Sequence, residues 1–363
     1  MRVVVAPDSF KGSATAGEAA RALARGWLAQ RPGDDVRLLP LADGGEGTLD
    51  AFAAARPDAE RRTVTVPGPD GRPVSAAWLL LPDRTAVLEL AQSSGLPLMA
   101  SPDPLGAHTY GLGVVARTAL DAGATRLVIG LGGSASTDGG TGALRALGLR
   151  LHDDQGEDLP LGGAALTQLA HLDTTDLVPP PPGGVQLLVD VTAPLTGPAG
   201  AATTYGPQKG AGPAEVALLD AALGRFADLA GGSPDQPGAG AAGGTAYGLA
   251  ALWDARITPG AATVATLVGL GDALVGADLV LTGEGRFDET SLTGKVVGSL
   301  LDAAASAGVP VAVAAGQVAG PVPGSVAAVS LVELAGSLDA ALNGPTTWLA
   351  EAGEALSRRL TRG

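Results

Sequence analysis

Asp278 to Lys295 reads DLVLTGEGRFDETSLTGK. A short apolar run, Leu279-Val280-Leu281, opens it. The chain then breaks at Gly283-Glu284-Gly285 into a polar loop carrying Arg286, Asp288, Glu289 and Thr290. It closes on Gly294-Lys295, just ahead of an apolar, helix-like segment. Strand, acidic glycine loop, lysine, helix is the order expected at the carboxyl edge of an open α/β sheet. Ligands bind there because loops leave the sheet and helix N-termini point inward.

Lys295 is one of only three lysines, with Lys11 and Lys209; the remaining basic residues are Arg. Each lysine adjoins a glycine: Lys11-Gly12, Lys209-Gly210, Gly294-Lys295. A chain that uses Arg wherever Arg serves keeps Lys where a compact, strongly hydrated ammonium is needed. Beside bare glycine backbone the usual reason is a phosphate.

The 363 residues are too many for one comfortable core, so two domains are expected. Aromatics make up 3%, which leaves Leu, Val and Ala to build the cores. The formal charge of −14 argues against a nucleic-acid surface, which needs clustered Lys and Arg. No apolar run reaches membrane-spanning length, and the N-terminus lacks a signal-peptide pattern. These absences lead to an expected cytoplasmic location with no membrane partner. Cysteine is absent, which excludes thiol nucleophiles, and His108, His152 and His171 lack metal-ligand spacing.

Outward from the opening stretch, Val3 to Ala6 reads as a buried strand ending in Pro7-Asp8-Ser9-Phe10-Lys11-Gly12. Thr15, with Glu18 three residues on, reads as the capping box of a helix to about Gln30. Val36 to Leu39 is a second strand, ending in Asp43-Gly44-Gly45-Glu46-Gly47 before an Ala-rich helix. This βαβα pattern opens a doubly wound sheet. Thr63–Val66, Val74–Leu81 and Thr85–Leu90 then read as a meander. A helix comes next, around 112–122. Strand Arg126–Ile129 runs into Gly130-Leu131-Gly132-Gly133-Ser134-Ala135. Val185–Asp190 reads as a strand, 214–230 as a helix and Gly231–Gly248 as a loop. Strands 279–281, 311–313 and 325–332 alternate with helices to the end. The resulting expectation is α/β: a doubly wound parallel-sheet domain from residues 1–62 plus 272–363, with 63–271 inserted as a mixed α/β domain and the active site in the cleft between them.

Gly238-Ala239-Gly240-Ala241-Ala242-Gly243 has dinucleotide glycine spacing but no preceding strand, so a phosphate nest or plain loop is expected rather than a nicotinamide site. Walker A is absent too. The loop at 130–135 follows a strand and can converge its N–H groups on an anion. It also touches the GLGSSA loop of galactokinase and homoserine kinase, which supply an alternative small-molecule kinase reading. Asp8, Asp43, Glu46, Asp138, Asp190, Glu284 and Asp288 follow strand ends or lie in glycine loops. One or two could hold Mg²⁺ and one could accept a hydroxyl proton; Asp138 is the one best read as a turn former. Lysines, glycine loops and acids together describe phosphoryl transfer.

APDSFKGS (6–13), ADGGEGT (42–48), GGSASTDGG (132–140), YGPQKGA (205–211), GAGAAGG (238–244) and DLVLTGEGRFDETSLTGK (278–295) resemble the type I glycerate kinases, in order and across nearly the whole chain. The resemblance implies a flavodoxin-like domain with an inserted α/β domain. It also implies phosphorylation of D-glycerate by ATP with Mg²⁺, most often at the 2-hydroxyl; a 3-phosphoglycerate-forming enzyme is the alternative. Asp190, Lys295, Lys11 and Asp43 are the expected catalytic residues. Asp190 is the favoured base, with Asp8, Asp43 and Asp288 as rivals. Expected to bind substrate or phosphate are Asp8, Ser9, Lys11, Gly44, Gly45, Gly132, Gly133, Ser134, Gln208, Lys209, Gly240, Gly243, Gly283, Gly285, Arg286, Thr290 and Gly294. Glu46, Glu284 and Asp288 are the Mg²⁺ candidates. Ala193 stands where the family commonly carries Asn, so a contact from that side chain is lost. The resemblance leaves the oligomeric state open, a homo-oligomer included. A non-catalytic sensor would lack lysines or acids in these motifs, and all are present.

Overall fold

The computed structural model describes residues 1–292 and 295–360. In chain order the strands are β1 (Arg2–Val5), β2 (Asp35–Leu38), β3 (Glu60–Pro67), β4 (Pro73–Leu80), β5 (Thr85–Glu89), β6 (Arg126–Gly130), β7 (Arg150–His152), β8 (His171–Asp173), β9 (Val185–Leu188), β10 (Ala255–Thr258), β11 (Leu279–Phe287), β12 (Val311–Val318) and β13 (Ser325–Ser330). Two compact units form: Met1–Asp43, Asp50–Pro57 and Pro259–Gly363 make the first, Gly44–Leu49 and Asp58–Thr258 the second. The first unit's returning segment thus starts at Pro259, ahead of the expected 272, and includes the helices Gly260–Leu267 and Leu270–Leu274.

The first unit carries a five-stranded sheet, order β13-β12-β11-β1-β2, parallel throughout. Numbered along that unit alone, the order is 2-1-3-4-5, that of flavodoxin-like doubly wound sheets, whose ligand crevice lies between the first and third strands. Those two strands are β1 and β11. Helix Ala16–Gln30 begins at the expected capping box: the Thr15 side chain accepts from the Glu18 N–H, and Glu18 Oε2 accepts from the Thr15 N–H at 2.9 Å. This helix packs in one core with helix Pro345–Leu360. The crossing is tight enough to require glycine on both sides. A Cβ on Gly26 would sit 1.8 Å from the Ala350 carbonyl oxygen, and one on Gly353 would sit 2.3 Å from that of Leu23.

The second unit has a six-stranded mixed sheet, order β10-β9-β6-β5-β4-β3, in which the β3-β4-β5 meander is antiparallel and the rest parallel. Its core is aliphatic, with Trp78, Trp253, Phe226 and Tyr247 as the large buried rings. A small β7-β8 pair is separate. Among the described residues no helix is long and apolar enough to cross a membrane.

Four sequence expectations are corrected. β11 continues to Phe287 through Gly283-Glu284-Gly285, where a break was expected. Gly283 is a packing residue: a Cβ on it would lie 1.8 Å from the Ala314 carbonyl oxygen of β12. A helix spans Ala241–Trp253, with left-handed backbone at Ala242, Gly243 and Gly244, so the loop expected to reach Gly248 ends earlier. β9 ends at Leu188, short of Asp190. β13 ends at Ser330, which caps helix Leu331–Ala335 by accepting from the Glu333 N–H.

Candidate active site

A cavity of ≈ 340 Å³ opens in the first unit at the carboxyl ends of β1, β11 and β12. The loops after β1 and β2 contribute Asp8, Ser9, Phe10, Lys11, Ser13 and Asp43. β11 contributes Glu284, Gly285 and Arg286; β12 contributes Gly316 and Gln317; Lys295 lies just before helix Val296–Ala307. Leu331, Val332, Leu338, Ala341, Leu342 and Pro345 complete the lining. The cavity therefore sits at the switch point where β1 and β11 part, the place the strand order assigns to a ligand.

Its polar groups are out of electrostatic balance. Burial pushes the Asp8 carboxyl up to about 7, helped by the charges of Asp43 and Glu284. The Ser9 N–H, which donates to Asp8 Oδ1 at 2.6 Å, and Lys11 oppose this only in part. Burial also raises Glu284, against Ser291, Lys295 and Lys11. Among the described residues Glu284 Oε1 is buried without a hydrogen-bond partner. An unpaired buried carboxylate oxygen costs stability unless a donor or cation arrives. Lys11 is loosely held: its Nζ is 3.8 Å from Asp43 Oδ2 and its side chain is 82% exposed. Lys295 is better placed. Its Nζ donates to Thr290 Oγ1 at 2.9 Å, and that hydroxyl donates to Asp288 Oδ1 at 2.6 Å. The Thr290 hydroxyl and N–H hold Asp288 below the usual carboxylate range, and Arg286 Nε lies 3.5 Å from Asp288 Oδ2. Of the expected site residues, Asp8, Ser9, Lys11, Asp43, Glu284, Gly285, Arg286 and Lys295 line one cavity. Gly283 belongs to β11, where it permits the close approach of β12, and Gly294 lies outside the described residues.

The second unit holds the other set. Lys209 is only 2% exposed, and its Nζ donates to Ser134 Oγ at 3.0 Å and to the Ser136 carbonyl at 2.5 Å. Burial pulls its ammonium down to about 8, while the charge of Asp138 works the other way. Lys209 thus braces the loop carrying Ser134 from behind. Asp138, fully buried, organises the same loop. Its Oδ2 accepts from the Thr109 N–H at 2.9 Å, the Thr109 hydroxyl at 2.8 Å and the Gly142 N–H at 3.1 Å, and its Oδ1 accepts from the Gly140 N–H at 3.2 Å. This is the turn-forming role expected of it. Gly132 and Gly133 lie in that loop, and the Gly132 N–H donates to the Gly44 carbonyl at 3.3 Å. A Cβ on Gly132 would meet Gly45 Cα at 2.4 Å. Gly240 and Gly243 are packing positions: the Gly240 N–H donates to the Ala193 carbonyl, and a Cβ on Gly243 would lie 2.1 Å from that of Ser136. Gln208, Glu46 and Asp190 are exposed in this unit, with Asp190 two residues past the end of β9.

Among the described residues no three His, Asp or Glu form a metal-ligating group. Glu284 lines the first unit's cavity, Asp288 is engaged with Thr290 and Arg286, and Glu46 belongs to the other unit. Sequence reasoning missed the apolar wall at 331–345, whose leucines read as ordinary helix residues. It also missed Glu89, a buried carboxylate at the end of β5 that accepts from the Gly47 and Leu49 N–H groups at 3.1 Å each. The only signal for Glu89 was an acid ending an otherwise apolar strand.

Residues 3–361 match the family model described as the glycerate kinase family. Glycerate kinase from Bacillus subtilis is 44% identical over 327 residues, 88% of this chain and 85% of that protein. Glycerate kinase from Halalkalibacterium halodurans is 43% identical over 324 residues, 87% of this chain and 85% of that protein. Glycerate 2-kinase from Escherichia coli is 41% identical over 305 residues, 82% of this chain and 80% of that protein. A crystal structure from Salmonella typhimurium LT2, of a protein assigned as glycerate kinase 2, superposes with a TM-score of 0.88 at 37% identity, covering 100% of this chain and 99% of the other. With the family pattern matched from residue 3 to 361 and such identities across most of each relative, the chain belongs to the glycerate kinase family and is a glycerate kinase.

Proposed function

We propose that this enzyme transfers the γ-phosphoryl group of MgATP to the 2-hydroxyl of D-glycerate, giving 2-phosphoglycerate and ADP. The observation that carries the reading is the cavity at the β1/β11 switch point, where two of the three lysines share a lining with Asp8, Asp43 and Glu284. Phosphoryl transfer needs charge neutralisation and positioning more than covalent chemistry, and this lining supplies both signs of charge. Lys11 and Lys295 act as point charges on phosphate oxygens. The attacking hydroxyl gives its proton to a carboxylate. Asp8, raised to about 7 by its surroundings, is tuned for that task near neutral pH. Asp190 is the rival, an exposed acid beyond the end of β9.

Mg²⁺ fits this lining as a partner of the phosphates, because it characteristically takes one or two carboxylates and completes its shell with water and phosphate oxygens. Asp43 and Glu284 are the candidates; the raised carboxyl of Glu284 and its Oε1, unpaired among the described residues, mark a local shortage of positive charge. The ion would supply neutralisation of phosphate charge. The choice of the 2-hydroxyl is supported by the Escherichia coli relative, which carries that position in its name. A cytoplasmic location, where ATP is abundant, goes with this reading.

Release of ADP from MgATP on addition of D-glycerate tests the reading. ADP release with homoserine, galactose or mevalonate, and none with D-glycerate, overturns it in favour of another small-molecule kinase.

A further inference from the structure

We propose that the first unit's cavity is the nucleotide subsite, with the adenine base laid against Leu338 and Leu342 and the phosphates directed to Lys11 and Lys295. This rests on the ATP-dependent reading above and assigns which substrate occupies that cavity.

Leu338 and Leu342 lie four residues apart in helix Leu338–Asn343, so their side chains share one face. Both line the cavity, yet they are 47% and 50% exposed. Half-exposed leucines at the rim of a charged cavity give a ligand apolar surface to lie against. D-glycerate is not such a ligand. It has three carbons, each bearing oxygen, and no flat apolar face to cover two leucines. A purine does.

The remaining lining wants an anion. Lys11 and Lys295 are there, and Lys295 stands at the N-cap of helix Val296–Ala307, where its own side chain makes no capping bond. A helix start with a lysine beside it favours phosphate. One cavity therefore offers an apolar wall and a cationic lining. Its volume of ≈ 340 Å³ lies in the range of about 300 Å³ and upward typical of sites for molecules much larger than a three-carbon acid. A ligand with a planar apolar group and a polyphosphate tail matches both parts. The crevice between the first and third strands of a 2-1-3-4-5 sheet is also where such folds hold mononucleotides.

The test is a titration with N-methylanthraniloyl-ADP, followed by its fluorescence, in Mg²⁺ and without glycerate. Wild type should bind the probe, and both adenosine and inorganic tripolyphosphate should displace it. Leu338→Asp and Leu342→Asp should each weaken the probe about tenfold, Leu342→Met should retain it, and the KM for glycerate should not move. Thermal melting of each variant checks folding, and the displacement series needs no variant. Undiminished probe affinity in both Asp variants overturns the proposal. So does displacement by tripolyphosphate with none by millimolar adenosine, which would make the cavity an anion site only. A rise in the KM for glycerate with nucleotide affinity intact would make it the glycerate site. Because the probe is read without glycerate, an enzyme that binds nucleotide but phosphorylates another alcohol keeps this assignment and loses the glycerate reading. An enzyme that turns over glycerate while both Asp variants hold the probe does the reverse.

Discussion

Asp138 stands in the most motif-like loop of the chain, GGSASTDGG, and the structure gives it a structural task that can be separated from catalysis. It is fully buried and accepts four hydrogen bonds, three from backbone N–H groups and one from the Thr109 hydroxyl. It also supplies the charge that faces buried Lys209. Asp138→Ala leaves all four donors without an acceptor and Lys209 without its counter-charge. Orphaned buried donors cost about 1–3 kcal/mol each, and the four overlap, so about 4 kcal/mol is expected in all. Asp138→Asn is gentler. Its amide oxygen can face the three donors now on Oδ2, leaving the NH₂ against the Gly140 N–H, for about 1–2 kcal/mol. Urea unfolding, with hydrogen exchange followed over residues 105–145, reads both variants. The Asn variant, folded under assay conditions, should keep kcat within about tenfold of wild type, because Asp138 is fully buried among the loop's own donors. An Asn variant of wild-type stability whose kcat falls by about three orders of magnitude would refute this and make Asp138 a catalytic group.

Lys11→Arg and Lys295→Arg should fold normally and lose most activity, because a guanidinium spreads its charge over a plane further out; unchanged kinetics in both would remove the phosphate role from these lysines. Asp8 has a folded-state pKa of about 7, above its ordinary 3.8, so its stabilising contribution is full below about pH 4 and is lost as pH rises through 7. Asp8→Asn should therefore be more stable than wild type at pH 8 and equal to it near pH 4 in urea unfolding; the opposite trend would mean the carboxylate is stabilised in the fold. The same variant should lower kcat by about two to four orders of magnitude if Asp8 is the base. Asp190→Asn should then keep kcat within about tenfold, and a loss as large as that of Asp8→Asn moves the base to Asp190.

The first unit is legible in the sequence where local chemistry acts alone. Thr15 and Glu18 announce a capping box that needs only three residues of context, and the helix starts there. Leu279-Val280-Leu281 reads as a strand for the same reason. The residues just after that run mislead, because glycine has two uses. Gly283 looks like a breaker, yet it sits within β11 so that the β12 backbone can approach, a fact set by a strand about thirty residues away. Gly243 and Gly244 look like loop for the same reason, although their freedom serves a left-handed turn packed against residues 136–139. The candidate site divides similarly. Lysine scarcity singles out Lys11, Lys209 and Lys295, but burial decides their roles: Lys11 and Lys295 line the cavity, while Lys209 is sealed behind Ser134 and Ser136. The leucines at 338 and 342 carry no signature in sequence, because an exposed leucine and a core leucine are written alike.

The position of phosphorylation tests the central claim most directly. The product formed from D-glycerate and MgATP is passed to enolase with no phosphoglycerate mutase present. Immediate formation of phosphoenolpyruvate, in step with ADP, is the predicted result, since enolase dehydrates 2-phosphoglycerate and leaves 3-phosphoglycerate untouched. ADP release with phosphoenolpyruvate appearing only after mutase is added would contradict it and place the phosphoryl group on the 3-hydroxyl.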